Sequence, residues 1–306
     1  MFKKSLIAPA YLKQGDKIGI VASARAVTYD EISRAVEILQ SWGLEVILGK
    51  DMFQREDQFA GSDLQRAASL QELLDDPSIK AILFARGGYG SIRTLEYLDF
   101  RTFKKNPKWL VGFSDITVFH SYVNIRLGIQ TLHAPLAFNA QNDRYDKNTW
   151  DNLYAALFGT LQEYTINVNP HNMTGNAKGI LTGGNLSVLY SLSGTTFDLN
   201  TDKKVLFIED IDEYLYHIDR MMMNLMLGGK LDNLSALIVG CFTEIKDNMI
   251  PFGKTAYEII NDYGKRYKFP VCFGFPAGHE KQNLPIFLGR LIDLIISEKG
   301  CKLIFC

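Results

Sequence analysis

Short apolar runs alternate with stretches of helical periodicity along the first half of the chain. Asp16–Ala22 reads as a buried strand. From Tyr29 to Trp42 the residues Ile32, Ala35, Val36 and Leu39 recur at three- and four-residue spacing, which predicts an amphipathic helix that Gly43 stops. Strands over Leu44–Leu48, Lys80–Ala85 and Lys108–Phe113 follow. Between them lie predicted helices over Ser62–Leu74, with Ser62 as cap, and over Ser91–Leu98; another runs from Ile116 to Ile125. Strands alternating with helices indicate βα units on a parallel sheet. In such sheets ligands sit beyond the carboxyl ends of the strands. The turns Arg86–Gly90 and Gly112–Asp115 both fall there, so they can share one crevice.

The pattern changes over residues 139–178. Asn139–Asp143 is polar, and Asn167–Lys178 is rich in Asn, Pro and Gly. This predicts an N-terminal α/β domain over 1–165, a linker over 166–178 and a C-terminal α/β domain over 179–306. The second domain carries predicted strands over Lys204–Ile208, Ala236–Cys241 and Val271–Phe273. Its predicted helices span Tyr216–Leu227 and Lys254–Tyr267, and Leu291–Phe305 reads as terminal strands. The fold class is therefore α/β: a doubly wound parallel sheet of Rossmann or flavodoxin-like type, then a second α/β domain with a mixed sheet. No internal repeat is visible.

Composition narrows the function classes. The 306 residues hold 33 Lys and Arg against 34 Asp and Glu, a formal net charge of −1. That balance gives no strong pull on nucleic acid or an anionic membrane. No run reaches the roughly 18 apolar residues of a membrane span. Lys3 and Lys4 precede a short apolar run, but Pro9, Lys13 and Asp16 break it too early for a secretory signal. Residues 1–16 read as a leading arm. Cys241, Cys272, Cys301 and Cys306 form no CxxC pair and read as thiols of a cytoplasmic protein.

Four features could carry chemistry. Ser114 stands in a sharp strand-to-helix turn, where a nucleophile is exposed and backbone N–H groups converge; Ser114 or Asp115 could equally cap the next helix. The turn also lacks the second glycine of a Gly-x-Ser-x-Gly elbow. Arg86-Gly87-Gly88-Tyr89-Gly90 can form an anion nest or a plain tight turn, and it is no phosphate loop because no lysine follows Gly90. His279 follows a strand end, with His133 as its main competitor for a general base. Glu209 ends an apolar strand, where a carboxylate can orient an imidazole, but spacing does not separate it from Asp210 or Glu213. No histidine pair has close metal-ligand spacing, so no metal is expected. The first βα turn, Ala22-Ser23-Ala24-Arg25, lacks Gly-x-Gly-x-x-Gly, which argues against a dinucleotide oxidoreductase. A non-catalytic small-ligand module remains a rival.

Seven segments in order tie these features together: Gly15–Ser23, Ala85–Gly90, Gly112–Asp115, Gly183–Leu186, Phe207–Asp210, Ile218–Met221 and Gly278–Glu280. Through them the chain resembles the LD-carboxypeptidase family of serine peptidases, which also includes microcin C immunity peptidases. The resemblance implies Ser114 as nucleophile, Glu209 as orienting acid and His279 as general base. It implies an oxyanion hole from the backbone N–H groups of Gly88 and Asp115. The implied substrate is a murein tetrapeptide, cut before its terminal D-alanine, and the implied assembly is a homodimer without cofactor. A carboxypeptidase must bind a free carboxylate, for which Arg86 and Arg220 are candidates; Tyr89 and Asn185 are further candidate substrate contacts. Two departures stand out: Phe287 precedes Leu288-Gly289 where the family often has proline, and Tyr214-Leu215 replace a common proline. A microcin-type hydrolase cleaving an aminoacyl-nucleotide amide is the alternative within the family.

Overall fold

An apolar run without alternation marks a strand covered on both faces. Lys17–Val21 (β1) buries four of its five residues, and Ile79–Phe84 (β3) and Trp109–Gly112 (β4) are buried almost throughout. These strands belong to a computed structural model that describes residues 5–141 and 143–306. The remaining strands are Glu45–Leu48 (β2), Thr131–His133 (β5), Glu163–Ile166 (β6), Gly175–Asn185 (β7), Lys204–Ile211 (β8), Ala236–Thr243 (β9), Val271–Phe273 (β10), Ile286–Leu288 (β11), Leu291–Ser297 (β12) and Gly300–Phe305 (β13).

The chain divides by contacts into two units. One holds residues 7–161 with 284–286; the other holds 162–283 and 287–306 together with residues 5 and 6. Residues 1–4 of the expected leading arm, and Asn142, lie outside the described residues. The first sheet has the order β11-β5-β4-β3-β1-β2, and β2, β1, β3, β4 and β5 pair in parallel. That order is the flavodoxin-like one, with the switch point between β1 and β3. The second sheet runs β10-β9-β8-β7-β12-β13-β6. Its β10-β9-β8-β7 half is parallel, whereas β12, β13 and β6 are antiparallel, so the sheet is mixed. The α/β fold class stands.

Helix ends follow local chemistry. Thr28 with Glu31, Ser62 with Gln65 and Thr255 with Glu258 form capping boxes at the starts of Tyr29–Ser41, Asp63–Asp75 and Ala256–Tyr267. The segment after β4 differs from one continuous helix. It is a 3-10 turn (Ser114–Ile116), an α-helix (Thr117–Tyr122) and a π turn (Val123–Leu127) that closes on Gly128. Helix Lys147–Leu157, absent from the periodicity reading, buries Trp150, Leu153 and Leu157 behind the Asp146 cap. The last residue of strand β6 and the first four of β7 fall within the stretch read as a linker. Their partners, β13 and β12, come more than a hundred residues later, so a local pattern cannot reveal them. Among the described residues no helix is long and apolar enough to cross a membrane.

The Gly183-Gly184-Asn185 motif has a packing cause. Gly183 and Gly184 hold φ of 133° and 142°, and a Cβ on Gly183 would stand 1.9 Å from the Phe207 carbonyl oxygen of β8. Gly183→Ala should therefore part β7 from β8 and destabilise the fold by more than about 3 kcal/mol. The urea midpoints of the two proteins check this.

Candidate active site

The turn that follows β4 is strained. Phe113 is extended, and Ser114 then takes φ 62°, the left-handed region that costs a non-glycine residue roughly 1–2 kcal/mol. Neither Ser114 nor Asp115 caps the next helix: the N-cap positions of the 3-10 turn and of Thr117–Tyr122 are Phe113 and Ile116, without side-chain caps. Glycines make room. A Cβ on Gly112 would press on Ile116 and Leu136 at 3.0 and 3.1 Å, and one on Gly87 would lie 3.2 Å from the Ser114 Cβ. The glycine loop thus packs directly on the serine. Neither the Gly88 nor the Asp115 backbone N–H donates to an acceptor among the described residues.

A buried polar network holds this end of the sheet. Arg66, 1% exposed, donates from Nη1 to the Ser23 carbonyl at 2.5 Å and to the Gly90 carbonyl at 2.9 Å, and from Nε to the Gly61 carbonyl at 3.2 Å. Its other arm pairs with Asp63. Ser23 and Ser91 hydroxyls meet at 2.8 Å, and the Ser91 N–H donates to the Asp115 carboxylate at 2.8 Å. Loops after β1, β3 and β4 are thereby joined. Burial pushes the Asp115 carboxyl up, and the hydrogen bonds from Ser91 and Gly90 with the Arg66 charge offset only part of that.

In the other unit, Glu209 lies on β8 and is fully buried. Its Oε2 meets His279 Nδ1 at 2.7 Å. The loop carrying His279 wraps the carboxylate closely: Gly278 has φ 128°, and a Cβ there would stand 2.9 Å from Oε2. The carboxylate on Nδ1 fixes the orientation of the ring. Burial pushes the His279 imidazolium down, but the Glu209 charge and hydrogen bond, with Asp210 and Glu244 beyond, outweigh it and raise the pKa. The three carboxylates that spacing could not separate have three partners. Asp210 accepts from Asn185 Nδ2 at 2.9 Å and from the Ser187 N–H at 2.8 Å, and Glu213 binds His217. Burial and the Glu209 charge push Asp210 up to about 7.

The remaining candidates are occupied differently. Asn185 is 3% exposed, caps Leu186–Ser191 and binds Asp210. Arg86 pairs with Glu31 at 3.0 Å and lies over the Phe138 ring. Arg220 is exposed over Tyr216, and Tyr89 is exposed beside Phe59. His133 is fully buried in β5, edge-on to Phe113. Among the described residues no cluster of His, Cys, Asp and Glu could hold a metal ion.

Two family models cover most of the chain. The LD-carboxypeptidase N-terminal domain matches residues 18–134, and the LD-carboxypeptidase C-terminal domain matches residues 178–294. This chain belongs to the LD-carboxypeptidase family. It is 34% identical over 299 residues to the probable murein peptide carboxypeptidase of Bacillus subtilis, covering 95% of this chain and 92% of that protein. It is 27% identical over 339 residues to the microcin C7 self-immunity protein MccF of Escherichia coli, covering 99% and 97%. Among solved structures, the muramoyltetrapeptide carboxypeptidase from Oxalobacter formigenes superposes with a TM-score of 0.84 at 29% identity, over 94% of this chain and 98% of that one. The chain is thus a peptidase of this family, with its fold.

Within this LD-carboxypeptidase-family chain, pattern reading missed His120, because a histidine inside a helix carries no local signal. Its Nε2 donates to the Gly112 carbonyl at 2.8 Å, directly before the Ser114 turn. Nδ1 is buried with no partner among the described residues, so the ring is neutral, and burial pushes its pKa down to about 4. The unfolded chain, with an ordinary value of 6.5, takes up this proton first as pH falls. Stability should therefore drop by on the order of 3 kcal/mol between pH 6.5 and 4 on this account. His120→Gln keeps a donor and removes the titration. Urea midpoints measured against pH should show a shallower acid decline in that variant, and parallel curves would contradict the assignment.

Proposed function

We propose that this protein is a serine-type L,D-carboxypeptidase that releases the terminal D-alanine from a murein tetrapeptide. Ser114 is the nucleophile, His279 the general base and Glu209 the residue that orients it. The observation that carries the reading is the Glu209–His279 hydrogen bond, with the strained Ser114 turn as its complement. Chain order agrees: Ser, then Glu, then His.

In this mechanism Ser114 Oγ attacks the amide carbonyl as His279 Nε2 takes its proton. Glu209 stays ionised and stabilises the imidazolium. The N–H groups of Gly88 and Asp115 receive the oxyanion, each such donor being worth roughly 2.7–4 kcal/mol. The imidazolium then protonates the departing D-alanine amine, and water repeats the sequence on the acyl-enzyme. The homology to a murein peptide carboxypeptidase supports this substrate. Similarity to the microcin self-immunity protein, 27% identity across 99% of this chain, supports a second reading, cleavage of an aminoacyl-nucleotide amide. We place the enzyme in the cytoplasm, as its four free cysteines favour, and assign it a homodimer as its working form.

Incubation with free tetrapeptide, followed by mass spectrometry, should show loss of D-alanine. Ser114→Ala and His279→Ala should lower kcat by about 10⁵–10⁶, and Glu209→Ala by about 10⁴. Full turnover by Ser114→Ala would exclude the mechanism, and turnover of an aminoacyl-nucleotide alone would select the second reading.

The pH profile gives an independent check. Neutral His279 is the active form, so activity falls as pH drops through its raised pKa. The acid limb of kcat/KM should centre above the ordinary imidazole value of 6.5. Glu209→Gln removes the charge and leaves the burial, so residual activity should show that limb moved to lower pH. A limb that stays in place in Glu209→Gln would remove Glu209 from the role.

A further inference from the structure

We propose that Arg25 binds the free terminal carboxylate of the peptide, and so makes this enzyme a carboxypeptidase rather than an endopeptidase. The assignment rests on the peptidase reading above and names the recognition element that reading lacks.

Carboxypeptidase geometry constrains where the recognition cation must be. The terminal carboxylate carbon is three bonds from the scissile carbonyl carbon, at most about 4 Å away. Its cation must therefore stand next to the oxyanion donors. Of the arginines in this unit's candidate site, Arg66 is buried and held by the Ser23, Gly61 and Gly90 carbonyls, and Arg86 is paired with Glu31. Arg25 is different. It follows β1 at the switch point, it is exposed, and its guanidinium has no hydrogen bond or ion pair among the described residues.

Its stem lies across Gly88. A Cβ on Gly88 would stand 2.6 Å from Arg25 Cδ and 2.7 Å from Nε, so the arginine lies directly against Gly88, whose φ of 106° also favours glycine. Gly87, the next residue, packs on Ser114 at 3.2 Å from its would-be Cβ. The chain of contacts Ser114, Gly87, Gly88, Arg25 thus sets a fork-shaped donor beside one proposed oxyanion N–H. A guanidinium there can take a carboxylate bidentately. Arg25 borders a cleft of about 540 Å³ lined also by Arg55, Arg86, Glu31 and Asp57, three arginines against two acidic residues. That surplus of positive charge favours an anionic end group.

The test compares two probes, the tetrapeptide L-Ala-D-Glu-meso-diaminopimelyl-D-Ala and the same peptide ending in D-alaninamide. Calorimetry measures their binding to Ser114→Ala and to Ser114→Ala/Arg25→Gln, so no turnover is needed. Ser114→Ala should prefer the acid by about 10-fold or more. Arg25→Gln should abolish that preference while the amide binds as before, and Arg25→Lys should restore part of it. A preference unchanged by Arg25→Gln, an equal loss for both peptides, or no preference in Ser114→Ala would each overturn the assignment. D-alanine release by the otherwise unaltered enzyme is read separately. Its absence would count against the peptidase reading, while the binding preference would still report on Arg25.

Discussion

The first unit depends on a guanidinium buried among carbonyls. Arg66 is almost fully enclosed, and an unpaired charge in that position would cost several kcal/mol. It is retained because one rigid fork reaches Ser23 after β1, Gly90 after β3 and Gly61 before its own helix. A lysine could not do the same with a single flexible ammonium. Through Ser91 the network reaches Asp115, the residue after the strained serine. The left-handed backbone at Ser114 costs energy locally, and a web of buried hydrogen bonds on its C-terminal side offsets it. His120 adds a second tie, on the carbonyl of Gly112.

The second unit solves a related problem with glycines. Glu209 is fully buried beside an imidazole, and its Oε1 has no partner among the described residues. Such a carboxylate is tolerable only if the imidazole is fixed against it. Gly278 allows that approach, and Gly240 leaves room on the other side, where a Cβ would meet the Ala277 carbonyl at 2.4 Å and the Glu209 Cβ at 3.1 Å. The same logic explains Gly183 beside Phe207. Several glycines in the family segments are therefore there because backbone, carboxylate or arginine stem fills the place of a side chain.

Much of this was legible in the sequence, and the exceptions have physical causes. Alternating apolar strands and helices indicated the parallel sheet, since each element's burial is written in its own residues. The antiparallel pairing of β6 with β13 was not, because its two halves lie over a hundred residues apart. Spacing alone could not choose among Glu209, Asp210 and Glu213. Neighbouring residues on a strand face opposite ways, and the choice depends on where His279 returns, 70 residues later. Arg86 could be a carboxylate clamp or a structural ion-pair partner, and spacing could not show that Glu31, 55 residues upstream, pairs with it. Ser114 could also be read as a cap, and its positive φ together with N-cap positions at Phe113 and Ile116 separates a strained turn from a capped helix start.

What the two units share is a strategy. Each carries its proposed catalytic group just past the carboxyl end of a parallel strand, or on a loop folded against one, and each fixes it by contacts internal to that unit. Ser114 is held by Gly87, His120 and the Asp115 network; His279 is held by Glu209 and Gly278. In the proposed mechanism, orientation is thereby settled before substrate arrives, and preorganisation of this kind is a large part of catalytic advantage in acyl transfer. Substrate contacts face no such constraint. The proposed contacts Arg25 and Tyr89 are both exposed, unlike the buried Glu209 and Arg66. Relatives named as a murein peptide carboxypeptidase and as a microcin self-immunity protein match nearly the whole of this chain, so both units are common to proteins of different names.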